Sequence, residues 1–245
     1  MSTTAVLHSE WIKIRSLRAG FGSLIALFGA TLAITLLVSA TVGQAEADNP
    51  EAEPLFGAFY GLNFGQIAAI TFGATAISSE YLGGALRVSL SAVPHRGLFY
   101  AAKMAVVGSA ALVVGLLSSF ASFLGGQAFM GTYAIGLGDP GAVRACVGGG
   151  IYLALMALFA AGLTVLLRSG VAVLSLLIPF VLIVSFVVGD IAKGAAEYLP
   201  DRAGQQVLHQ DPVGALGPWT GLAVTAAWAA AALLAGWWAL HRRDA

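Results

Sequence analysis

Charge is the scarcest property of this sequence. Of its 245 residues, 10% are Asp, Glu, Lys or Arg and 58% are hydrophobic, whereas soluble domains devote about 25% to charge. That shortage excludes an ordinary soluble domain. Cysteine is scarcer still: Cys146 stands alone, which rules out an intramolecular disulfide or a CxxC site and leaves a small packing residue. Signature loops are missing too. No G-x-x-x-x-G-K-[ST] segment is present to cradle ATP, and no H-E-x-x-H or G-x-S-x-G motif occurs. Gly136, Gly138 and Gly141 spell G-x-G-x-x-G, but no strand pattern precedes them and Pro140 interrupts them, so the dinucleotide-binding context is absent. His8, His95, His209 and His241 are scattered without ligand spacing, and no metal site is expected. Twelve bases balance twelve acids, so bulk charge offers nothing to nucleic acid.

The positions without charge are more telling than the total. No ionisable Asp, Glu, Lys or Arg falls in 19–45, 54–79, 104–138, 145–167, 169–189 or 212–240. Each gap matches or exceeds the roughly 20 apolar residues that carry a helix across a bilayer. The pattern predicts a single all-α polytopic membrane domain over 1–245, with six spans near 20–42, 55–77, 103–124, 145–167, 171–189 and 219–240. The first apolar run is longer than the roughly 7–15 residues of a signal-peptide core, so it reads as a retained span.

Six spans place both termini on one side. That side then holds Lys13, Arg15, Arg18, Arg87, Arg96, Lys103, Arg168, Arg242 and Arg243, and the other holds Arg144, Lys193 and Arg202. The bias predicts cytoplasmic N and C termini. Acids lie opposite, in a loop with Glu46, Asp48, Glu51 and Glu53 and at Asp139, Asp190, Glu197, Asp201 and Asp211. Trp219, Trp237 and Trp238 flank the last span as interfacial anchors.

Along the chain, "HSEWIKIRSLRAG" places Leu7, Trp11, Ile14 and Leu17 at helical spacing, with Lys13, Arg15 and Arg18 available to water or phosphate. This suits a helix lying in the cytoplasmic interface. In the first span, Thr31, Thr35 and Ser39 recur every four residues and are expected to bond back to their own helix carbonyls. In the second, Gly57, Gly61, Gly65, Ala69 and Gly73 form a small-residue seam that permits close helix approach. Asn63 and Gln66 sit beside it; they suit interhelical hydrogen bonding, and a pathway or a dimer interface is the sharper alternative. Pro179 should kink the fifth span.

Between the second and third spans, "EYLGGALRVSLSAVPHRG" runs from Glu80 to Gly97. Leu82, Leu86, Leu90 and Val93 fall on one helical face, with Arg87 and Ser91 on another. Pro94 ends the helix. A connection between spans needs far less, as the short turn after Arg168 illustrates. An amphipathic helix at the cytoplasmic surface suits contact with a soluble partner.

That segment, with "SEWIKIRSLRAG" (9–20), "LGDPGAVRACVGGGIYLALMALFAAGLTVLLRS" (137–169), "EYLPDRAGQQ" (197–206) and the last 29 residues, resembles bacterial ABC transporter permeases of the type-two exporter class. The resemblance implies a permease that dimerises, or pairs with a second permease, in the bacterial cytoplasmic membrane. It also implies two separate ATP-binding subunits that carry ATP-Mg, so this chain is expected to be neither an enzyme nor a cofactor binder. By position, Glu80, Tyr81, Arg87, Ser91, Pro94 and Arg96 are the implied ATPase-coupling residues, and Trp11, Lys13 and Arg15 belong to the implied interfacial helix. Gly57, Gly61, Asn63, Gly65 and Gln66 are candidates for pathway or dimer interface. Where the family often has a polar or basic residue after Glu-Tyr, this chain has Leu82 and Gly83. The expected activity is export of a drug, antimicrobial peptide or natural product. The alternatives are a non-transporting anchor or sensor, and a passive channel or secondary carrier.

Overall fold

The computed structural model describes residues 2–43, 53–185, 187, 194–211 and 214–243. Most of the acidic loop (Glu46, Asp48, Glu51), Asp190, Lys193, Asp244 and residues 186, 188 and 189 of the fifth apolar segment lie outside the described residues. Among those described, every regular element is helical. In chain order these are α1 (Thr3–Ser16), α2 (Arg18–Val38), α3 (Pro54–Gly57), α4 (Leu62–Ser78), α5 (Ala85–Ala92), α6 (Arg96–Gln127), α7 (Ala142–Leu167), α8 (Gly170–Pro179), α9 (Pro200–Gln205) and α10 (Pro218–Arg242). Among the described residues, four helices are long and apolar enough to cross a membrane: Arg18–Thr41, Arg96–Gln127, Ala142–Leu167 and Pro218–Arg242. α4 has 17 residues and Gly170–Val184 is shorter still.

Local chemistry sets the boundaries. Ser2 caps α1 and Ser169 caps α8, each hydroxyl accepting from a backbone amide three residues on, which satisfies a donor that a helix start leaves open. Pro200 and Pro218 open α9 and α10 at positions that need no N–H. At Pro179 the α-helix gives way to a π-turn over Phe180–Val184, the local response to a ring that cannot donate. Two expected boundaries move. After the short α3, residues 58–61 form tight turns with bonds such as Phe59 N to Phe56 O, so the long second helix starts at Leu62; Gly57 and Gly61 make continuous helix costly there. The third long helix starts at Arg96, directly after Pro94, and places Lys103 two turns inside a continuous helix.

α7 forms the axis of the bundle and packs against α10, α6 and α4. Two thirds of its most apolar window is buried (67%), against 28% for α2. Small residues allow this crowding. A Cβ at Gly162 would lie 2.6 Å from the Ala232 carbonyl carbon of α10, and one at Gly73 would collide with Ala157 of α7. The glycine seam is therefore used within the chain, and it divides: Gly61 and Gly65 meet Thr31 and Thr35 of α2, Gly73 meets α7, and Gly57 has open space. Thr31 bonds back to Leu27 O at 2.5 Å as expected, whereas the Thr35 hydroxyl is buried without a partner.

Candidate functional site

Just beyond the C-terminal end of α4 the chain assembles four charged side chains. Glu10 and Lys13 come from α1, Glu80 from the 3-10 turn Ser79–Tyr81, and Lys103 from the second turn of α6. Lys103 Nζ lies 2.5 Å from Glu10 Oε2 and 2.5 Å from Glu80 Oε1. Lys13 Nζ donates to Glu10 Oε1 at 2.8 Å, Glu80 Oε1 at 3.0 Å and Ser89 Oγ at 2.9 Å. Ser89, on α5, donates in turn to Glu80 Oε2 at 2.8 Å. The Phe99 ring lies 5.5 Å from Lys13 Nζ and 5.8 Å from Lys103 Nζ, close enough for a cation–π contribution. Two carboxylates and two ammonium groups thus alternate in one neutral cluster.

Burial makes this cluster consequential. The side chains of Lys103, Glu10 and Glu80 are 3%, 2% and 7% exposed, and buried charges persist only when paired. Burial pushes the Glu80 carboxyl up. The charge and hydrogen bond of Lys103, with donors Ser89 and Lys13, outweigh burial and hold Glu80 below its ordinary value. For Lys13, burial opposes the ammonium, and Glu10 and then Glu80 overcome it, leaving its pKa raised. Both shifts favour the charged forms.

The expected coupling residues occupy three situations. Glu80 is the hub of the cluster. Tyr81 faces the end of α7, with its hydroxyl 3.4 Å from Val165 O and the Arg168 guanidinium 5.9 Å from its ring. Arg96 donates to Leu240 O at 2.8 Å and Arg243 O at 3.0 Å, which ties α6 to the end of α10. Arg87 and Ser91 lie on the exposed side of α5 and Pro94 is exposed just after it; the Ser91 hydroxyl donates to Val88 O of its own helix. Leu86 and Val93 are buried and Leu90 partly so, but Leu82 is 71% exposed. It precedes the helix at a turn where Gly83 and Gly84 take positive φ, a conformation glycine adopts without penalty.

In α1 the buried face is Val6, Glu10 and Ile14. Trp11 and Arg15 are exposed, so the helix is rotated from the face that Leu7, Trp11, Ile14 and Leu17 define. That face carries Glu10 to within 2.5 Å of Lys103 Nζ. Glu10, Ser89 and Lys103 are the residues that pattern reading passes over. The available signal was an acid spaced four residues from Val6 and from Ile14, matched by a lysine next to a long apolar run.

At the opposite end of α4, Asn63 and Gln66 stand beside a second polar group. Gln66 is 3% exposed; its Nε2 donates to Asn63 O at 3.1 Å, and its Oε1 accepts from the Tyr152 hydroxyl of α7. α9 docks here. Thr225, two turns into α10, donates to Pro200 O at 2.8 Å, and Trp228 Nε1 donates to Tyr198 O at 2.9 Å. The following residues are tied down as Arg144 donates to His209 O at 2.5 Å and Glu53 meets His209 Nδ1 at 2.9 Å. Asp201 of α9 is 4% exposed, and burial raises its pKa against the opposing pull of Ser185, nearby amides and Arg202. Compared with known proteins, the chain matches no protein-family model and no curated protein.

Proposed function

We propose that this chain is the six-span permease subunit of an ATP-driven exporter in the bacterial cytoplasmic membrane. In this reading α4 and the Gly170–Val184 segment are the two shorter spans, and α1, α5 and the charge cluster face the cytoplasm. The observation that carries the proposal is the position of Glu80. It joins the surface helix α5, through Ser89, to α1, through Lys13, and to the long helix α6, through Lys103. A push on the exposed face of α5 then reaches the start of a membrane helix through short, charge-assisted contacts instead of dissipating in a loose loop. The sequence offers no phosphate-binding loop of its own, so the push comes from a separate ATP-binding subunit that carries ATP-Mg. Two copies, or a pair of related permeases, would flank the pathway, and the cargo is a drug, antimicrobial peptide or natural product.

The test combines partner capture with uncoupling. An ATP-binding protein encoded beside this chain is the expected partner, and it should co-purify with it. Glu80→Gln should leave that complex intact but lower efflux per ATP hydrolysed at least severalfold. A complex that never forms, or transport that is unchanged in Glu80→Gln, refutes the proposal. Orientation is separable: on a Cys146→Ala background, Ser91→Cys should react with an impermeant maleimide only from the cytoplasmic face.

A further inference from the structure

The end of the bundle opposite the charge cluster, about 25 Å away along α4, contains an open cavity of about 720 Å³. That volume lies within the roughly 300–1,000 Å³ of small-molecule sites. Tyr60, Phe64, Val181 and Leu182 supply its aromatic and aliphatic lining, and Gln66, Ser185 and Asp201 are among its polar lining. Most of the polar wall is already satisfied: Gln66 is occupied by Tyr152 and Asn63, and Arg202 Nε donates to Ser185 O at 2.9 Å. Two atoms are not. Asp201 Oδ1 and Ser185 Oγ are buried without a well-formed hydrogen bond, although Ser185 and nearby amides lie close enough to draw the Asp201 pKa down, and an acceptor so poorly met is costly unless something supplies a donor.

We infer that this cavity binds an amphipathic organic amine, with its ammonium on Asp201 and its apolar body against Tyr60 and Phe64. Three features select that class. A carboxylate oxygen only accepts, so its missing partner is a donor. A cationic donor forms the stronger, charge-assisted bond and favours the ionised carboxylate that burial disfavours. The aromatic wall accepts an apolar body and, at its faces, a cation. Among the charged groups of the wall, Asp201 and Glu197 outnumber Arg202, while His209 is engaged with Glu53. Glu197 accepts from Ala215 N at 2.8 Å, whereas Asp201 Oδ1 makes no comparable bond. The site goes beyond the exporter reading and requires no motor.

The experiment uses full-length protein in lipid nanodiscs without nucleotide or partner, so its outcome is separable from any failure of transport. A dansyl-alkylamine and its neutral N-acetyl form are titrated by fluorescence anisotropy. The amine should bind about tenfold or more tightly than the acetyl form, the scale of one charged hydrogen bond. Asp201→Asn should erase that preference while the acetyl form binds as before. Should Asp201→Asn not fold, a diazirine-bearing amine photolabels wild-type protein instead, and adducts should fall on Tyr60, Phe64 or residues 194–206. Equal affinity for the two probes, a preference surviving in Asp201→Asn, adducts confined elsewhere, or occlusion of the cavity by a second copy cross-linked through Phe64→Cys would each overturn the inference.

Discussion

Removing Lys103 is the sharpest perturbation of the charge cluster. Lys103→Met keeps most of the stem and deletes one positive charge that is 2.5 Å from each of two carboxylates. Glu10 Oε2 then loses its ion-pair partner, and Glu80 keeps only Lys13 and Ser89. Breaking a buried pair from one side costs about 3–5 kcal/mol, because the remaining charge is left uncompensated. For a chain of this size each kcal/mol lowers Tm by roughly 2–4 °C, so a fall of roughly 6–20 °C is expected in nanodiscs by differential scanning fluorimetry. The double variant Glu80→Gln/Lys103→Met restores neutrality and leaves Glu10 paired with Lys13. It should recover about 1–3 kcal/mol relative to the sum of the single changes. A single-variant cost under about 1 kcal/mol, or strict additivity in the cycle, would refute the claim that these four charges act as one unit.

Tyr152→Phe should destabilise by about 1–3 kcal/mol, because Gln66 Oε1 is left buried without a donor; adding Gln66→Leu should return most of that loss in the same melting assay. Gly73→Leu forces α4 and α7 apart at Ala157 and should cost about 1–3 kcal/mol, whereas Gly57→Ala, with open space around it, should change Tm little. The pH dependence of Tm follows from the shifted groups. The depressed Glu80 contributes stability that is present above its ordinary pKa of 4.5 and lost as pH falls below it. Lys13, raised from 10.5, contributes stability that is present below 10.5 and lost as pH rises beyond it. Asp201 has the opposite sign to Glu80. Its raised pKa means that stability falls as pH climbs from 3.8 toward the folded value, so Asp201→Asn should raise Tm near neutrality or leave it unchanged.

Much of the architecture was legible in composition and spacing. Charge-free runs mark the helices that line the bundle, because a long apolar helix needs no partner chemistry to declare itself. Pro94 marked the end of the surface helix for reasons confined to its own backbone, whereas its start, after the positive-φ Gly83 and Gly84, came later than the apolar spacing from Leu82 suggested. The small residues of α4 announced close packing, though not its direction: Gly61 and Gly73 meet different helices, and a repeat every four residues cannot say which neighbour stands against it.

By itself, then, the sequence determined an apolar all-helical chain and an amphipathic segment within 82–93, which the structure shortens to Ala85–Ala92. The tertiary structure alone decided that Glu10 faces inward to meet Lys103, and that Asp201 arrives beside Gln66 and Tyr152. Periodicity reports how apolar a helix face is. Charge pairing depends on where distant segments end up, which no periodicity within one segment reports.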